Sequence, residues 1–128
     1  MNYYFSKMVS GTFEEAIDKT TKALQAKGFG VLTTIDVKAT LKKKIDADFR
    51  LYTILGSCNP YFAFQALTHE SHIGTMLPCN VIVQQTDQGV EVAAVDPVAS
   101  MAAIDNKELG EVATTVRGLL KDMIAGLD

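Results

Sequence analysis

Apolar and polar residues alternate at the start of the chain and then change period. The alternation begins at Met1. From Asn2 to Val9 it puts Tyr3, Phe5, Lys7 and Val9 on one face and Tyr4, Ser6 and Met8 on the other, the two-residue repeat of a strand. Ser10 and Gly11 end it. Phe13, Ala16, Ile17, Thr20 and Leu24 then recur at helical spacing. Thr12 and Glu15 form a capping box ahead of them, and Gly28 supplies the left-handed residue that closes such a helix.

The same reading continues downstream. Phe29 to Ile35, rich in β-branched residues, predicts a second strand. Asp36 caps a short helix to about Lys44, with Val37, Leu41 and Ile45 facing inward. Phe49 to Gly56 predicts the third strand. Asn59 and Pro60 open a helix to about Glu70, because asparagine caps free amides and proline at the first helical position gives up only an unpaired N–H. That helix is apolar nearly all round, through Tyr61, Phe62, Ala63, Phe64, Ala66 and Leu67, which predicts burial, in part by a second subunit. Cys79 to Thr86 and Gly89 to Val95 form a hairpin across Asp87-Gln88-Gly89. Val98 to Ile104 has no clear period. Capped by Asp105 or Asn106, the last helix carries the stripe Leu109, Val112, Ala113, Val116, Leu120 and Met123.

The order β-α-β-α-β-α-β-β-α predicts one α+β domain over residues 1–128. Its architecture is two-layer, an about five-stranded mixed or antiparallel sheet with helices packed on one face. Composition narrows the class. The 128 residues are 48% hydrophobic and 21% charged, enough apolar mass for a core without covalent staples. A net charge of -3 argues against a nucleic-acid partner, which demands clustered positive charge. No apolar run approaches the ~18 residues that span a bilayer, so no membrane partner is expected. Two cysteines and no signal-peptide pattern point to the cytoplasm and away from a disulfide scaffold.

Four segments together resemble the bacterial and archaeal family called domain of unknown function 302: Gly28 to Val37 (GFGVLTTIDV), Ile54 to Pro60 (ILGSCNP), Ile73 to Val83 (IGTMLPCNVIV) and Asp96-Pro97. The resemblance spans nearly the whole chain and rests chiefly on the paired CNP and LPCNV signatures. It implies a compact α+β domain, a homodimer, and no established activity. His69 and His72 lie outside the family pattern.

The chemistry on offer centres on the two signature cysteines. Cys58 ends a strand just before a helix start, where free amides and the helix dipole favour a thiolate and lower its pKa. Cys79 begins the fourth strand. If the third and fourth strands lie antiparallel side by side, the two thiols meet at one sheet end; parallel pairing puts them at opposite ends. Free cysteine is otherwise a small buried hydrophobe. Cys58, His69, His72 and Cys79 supply the ligand types of a zinc site, but single cysteines at this spacing do not make a finger, and no metal site is assigned. A soft ion such as Cu(I) on the thiolates alone is the metal variant. Lys42 to Lys44, Asp46 with Asp48, and the Tyr3-Tyr4-Phe5 cluster read as solvated faces, loop charge and strand packing. No nucleophile elbow, phosphate loop or zinc-protease motif occurs.

Three functions remain open. The first is a binding module whose pocket lies between Cys58-Asn59-Pro60 and Pro78-Cys79-Asn80. Its ligand is a small molecule, a soft metal or a sulfur species, and no cofactor can be named. The second is a thiol enzyme or sulfur carrier cycling Cys58 and Cys79. The third is a dimeric structural or regulatory unit without chemistry.

Overall fold

The computed structural model describes residues 2–128; Met1, at the head of the opening alternation, lies outside them. The chain runs β1 (Tyr4–Val9), α1 (Phe13–Ala26), β2 (Gly30–Asp36), α2 (Val37–Ile45), β3 (Tyr52–Cys58) and α3 (Pro60–His69). A 3-10 turn (Ser71–Met76), β4 (Cys79–Thr86), β5 (Gly89–Val95), α4 (Pro97–Ser100) and α5 (Lys107–Ala125) complete it. The five strands form one sheet in the order β1-β5-β4-β3-β2. Every neighbouring pair is antiparallel. Of the mixed and antiparallel alternatives, the protein takes the antiparallel one.

Local chemistry sets most element ends. The Thr12 hydroxyl accepts from the Glu15 amide at 3.1 Å, and the Glu15 carboxylate accepts from the Thr12 amide at 2.9 Å. At the other end of α1, the Phe29 amide donates to Leu24 and the Gly28 amide to Gln25, with Gly28 at φ +84°. This paired termination needs a residue free of a Cβ, and its Leu24–Phe29 contact joins the core. A Cβ at Gly28 would also stand 3.0 Å from the Asn59 amide nitrogen. Asp36, Asn59, Asp96 and Asn106 cap α2, α3, α4 and α5 through their side chains.

Strand alternation then builds the core. Val81 and Val83 of β4, Val90, Val92 and Ala94 of β5, and Leu55 of β3 turn one way. They meet Phe13, Ala16 and Leu24 of α1 and Val116, Leu120 and Met123 of α5. A smaller cluster of Ala66, Ile73 and Leu109 joins α3 to α5. Asp96, almost fully buried, closes the far corner. Its Oδ1 accepts from the Val98 and Ala99 amides, and its Oδ2 accepts from Arg117 Nε at 3.0 Å. The Arg117 guanidinium also lies 5.1 Å from the Phe5 ring, so one corner ties β1, β5, α4 and α5 together.

Three expectations are corrected. The third strand begins at Tyr52 rather than Phe49 and runs on to Cys58. Its β2 partner ends at Asp36, opposite Thr53, where Asp36 turns away to cap α2. Ile45 is not an inward residue: it is 70% exposed, and α2 buries no residue fully, because it leans chiefly on β2 and β3 at this edge. Helix α3 is not enclosed either. Tyr61 is 81% and Phe64 74% exposed, since α3 rests on α5 and the 3-10 turn and none of the described residues covers its outer side.

Candidate functional site

Antiparallel pairing of β3 with β4 brings the two signature segments to one end of the sheet, with Ser57 directly across from Cys79. Residue 56 must be glycine there. A Cβ on Gly56 would collide with the Thr33 hydroxyl and stand 3.0 Å from Pro78. The Ser57 hydroxyl donates to the Cys79 carbonyl at 2.8 Å inside the core and locks this end of the ladder. Beyond it the chain enters α3, and α3 and α5 close over the sheet end.

Between them lies a cavity of about 40 Å³. Cys58, Asn59, Pro78 and Cys79, four of the six candidate residues, line it. Phe62 and Ala66 of α3, Leu77, Met101, and Ala113 and Val116 of α5 line it as well. Pro60 is exposed and does not. Asn80, one residue past Cys79 and therefore on the other side of the pleat, faces the opposite surface of the sheet. The α5 contributors sit in the apolar stripe read from sequence. Their neighbours on α3 carried only a diffuse apolar signal, which does not say which side meets α5.

The thiols depart from expectation. Both are free, and Cys79 faces Ser57 rather than Cys58 across the ladder, so the register does not pair them. Nor is either activated. Burial pushes the Cys58 thiol above its ordinary value. Burial pushes Cys79 up to about 11, with a smaller electrostatic contribution from Cys58. The helix cap offers nothing to offset this burial. Asn59 Oδ1 accepts from the Tyr61 and Phe62 amides, the Ala63 amide donates to the Asn59 carbonyl, and Pro60 has no N–H. The helix start therefore has no free donor left to stabilise a Cys58 thiolate.

The four-ligand zinc arrangement is not assembled. Among the described residues no group of three or more His, Cys, Asp or Glu is placed to hold a metal ion. His72 is solvent-exposed beside Glu70 on the 3-10 turn, and the His69 carbonyl accepts from the Asn106 side chain. Lys42 pairs with Asp46 and Asp48 at the surface. No helix of the described residues is long and apolar enough to cross a membrane.

Comparison with known proteins agrees with the fold. The crystal structure of an uncharacterized conserved DUF302 protein from Bacillus stearothermophilus superposes with a TM-score of 0.91 at 26% sequence identity, covering 98% of each chain. No curated protein matches. The model of the family described as Domain of unknown function DUF302 matches residues 5–127, so the chain belongs to that family.

Proposed function

We propose that the protein is a binding module that seats one very small, neutral, apolar ligand in the cavity between α3, α5 and the sheet end. The observation that carries this reading is the cavity itself: about 40 Å³, walled by Cys58, Pro78, Cys79 and apolar side chains of two helices. Magnitude decides the ligand class. A cavity of about 150 Å³ is what a benzene ring needs. The present one suits a single water-sized or atom-sized guest, and its apolar walls offer a water few partners. No cofactor or nucleotide fits it.

Thiol chemistry is the weaker reading. A soft ion, a persulfide carrier or a dithiol cycle each needs thiolate, and raised pKa values leave little of it near neutral pH. A structural dimer is the second reading, favoured by the exposed Tyr61 and Phe64 of α3, with light scattering as its test.

Native mass spectrometry of protein purified without air or reductant, repeated after denaturation, tests the binding module. Extra mass that survives natively and vanishes on denaturation supports it. An unchanged mass, combined with no amide shift at Ala66, Cys79 and Ala113 under xenon pressure, overturns it.

A further inference from the structure

We infer that the uncovered face of the sheet holds a second, larger site that takes a planar nitrogen heterocycle with a guanine-like edge. The helices cover only one face. On the other, a concavity of about 430 Å³ opens over β5, β4 and β3, roughly ten times the volume of the cysteine-lined cavity. That size lies within the 300–1,000 Å³ or so typical of small-molecule sites. Tyr3, Tyr4 and Tyr52 wall it, while Ile82 and Ala93, directly paired across the ladder, form part of its floor.

The register builds a polar row into this surface. Tyr52 faces Gln84, and Gln84 faces Glu91, along one line across three strands. Gln84 is held from both sides: its oxygen accepts from Arg50 Nε at 2.9 Å, and its nitrogen donates to Glu91 Oε1 at 2.8 Å. Arg50 is steadied further by the Phe49 ring at 4.4 Å and the Tyr52 ring at 5.4 Å. Among the described residues, Glu91 Oε2 and the Asn80 side chain form no hydrogen bond within the protein, and both groups line the concavity. One end of the surface thus presents the Glu91 carboxylate as acceptor beside the Arg50 guanidinium and Gln84 amide donors, with aromatic walls, while Asn80, four residues along β4 from Gln84, lies toward the other end.

Those groups select an edge as well as a ring. Tyrosine faces stack on planar rings with little regard to identity. A carboxylate accepts from adjacent ring N–H and exocyclic N–H₂ groups, while guanidinium or amide N–H groups donate to a neighbouring carbonyl. Guanine carries that donor-donor-acceptor edge, whereas adenine does not. Arg50 is the sole cation lining the concavity among the described residues, and the chain carries a net charge of -3. With no second cation to clamp a phosphate, the ligand is a free base or nucleoside rather than a nucleotide.

Amide chemical-shift titration of the intact protein tests this site, with guanosine, adenosine and guanosine monophosphate as probes. Guanosine is expected to move Tyr52, Ile82, Gln84 and Ala93 and to bind at least tenfold tighter than adenosine. The monophosphate is expected to bind no tighter than guanosine. A Glu91→Gln variant with an otherwise unchanged spectrum is expected to lose the guanosine preference while keeping weak stacking of both nucleosides. Equal weak shifts with guanosine and adenosine, or none, overturn the inference. So does a dimer that Ala93→Arg dissociates, which gives this face to a second copy. A guanine trinucleotide binding at least tenfold tighter than guanosine, with strong salt dependence, overturns the free-nucleoside assignment.

Discussion

Across β4 and β5 every inward valine lies under α1 and α5, whereas across β2 and α2 no residue is fully buried. Both regions carry similar apolar patterns. Val90, Val92 and Ala94 stay on the covered face, whereas a register shift between Val31 and Thr33 breaks the alternation of β2: Val31 packs against the core, while Ile35 pairs with Ile54 on the open face and, like Leu32, is exposed. The difference is in what covers them. β5 is an inner strand with a helical layer above it, while β2 is an edge strand and α2 leans chiefly on β2 and β3. An apolar stripe says which side of an element is available for burial. It does not say that anything arrives to bury it.

The contrast can be broken by substitution, and the largest effect belongs to the covered side. Leu120→Ala, at a fully buried position of α5, is expected to cost roughly 2–5 kcal/mol in urea denaturation, the lost transfer energy plus a cavity. A cost below about 1 kcal/mol would mean that this interior relaxes freely, and the contrast would fail.

The next effect sharpens the covered side through pH. Cys79 ionises at about 11 in the folded protein against an ordinary value of 9.0, so its neutral form is the one the fold favours. Below pH 9 the thiol is neutral in both states and its stabilising contribution is complete. As pH rises toward 11 the unfolded chain ionises first, and about 2–3 kcal/mol is lost. Denaturation curves at pH 8 and pH 10.5 should show about 2 kcal/mol of this loss in the native sequence. In Cys79→Ala, measured against its own value at pH 8, most of it should be absent. An identical alkaline loss in the variant would place its origin elsewhere.

The smallest effects belong to the open side. Ile45→Ala is expected to change stability by no more than about 0.5 kcal/mol, because the side chain is 70% exposed. A loss above about 1.5 kcal/mol would mean that this flank is covered in solution. Light scattering on Phe64→Glu tests the open side of α3 separately: a dimer that becomes a monomer assigns the α3 surface to a second copy.

Much of the fold was legible in sequence because its punctuation is local. The Thr12–Glu15 box, the Gly28 termination and the Asn59-Pro60 start each act within a few residues and stand where the sequence put them, and of Asp105 and Asn106 it is Asn106 that caps α5. The β4–β5 hairpin, joined by a short turn with Gly89 at φ +129°, was legible for the same reason. The candidate site was half legible. Cys58, Asn59, Pro78 and Cys79 line one cavity, but the one-residue step from Cys79 to Asn80 crosses the pleat and sends Asn80 to the other face.

What the sequence determined by itself, then, is where elements start and stop and which side of each is apolar, since capping, turn geometry and side-chain period are settled over a few residues. Only the tertiary structure decided that Tyr4 would pair with Val95, that Ser57 rather than Cys58 would face Cys79, and that α3 would leave Tyr61 and Phe64 in solvent. Those outcomes depend on strand order and on the presence of a covering layer. Both are set by contacts between distant segments, which leave no short-range trace in the chain.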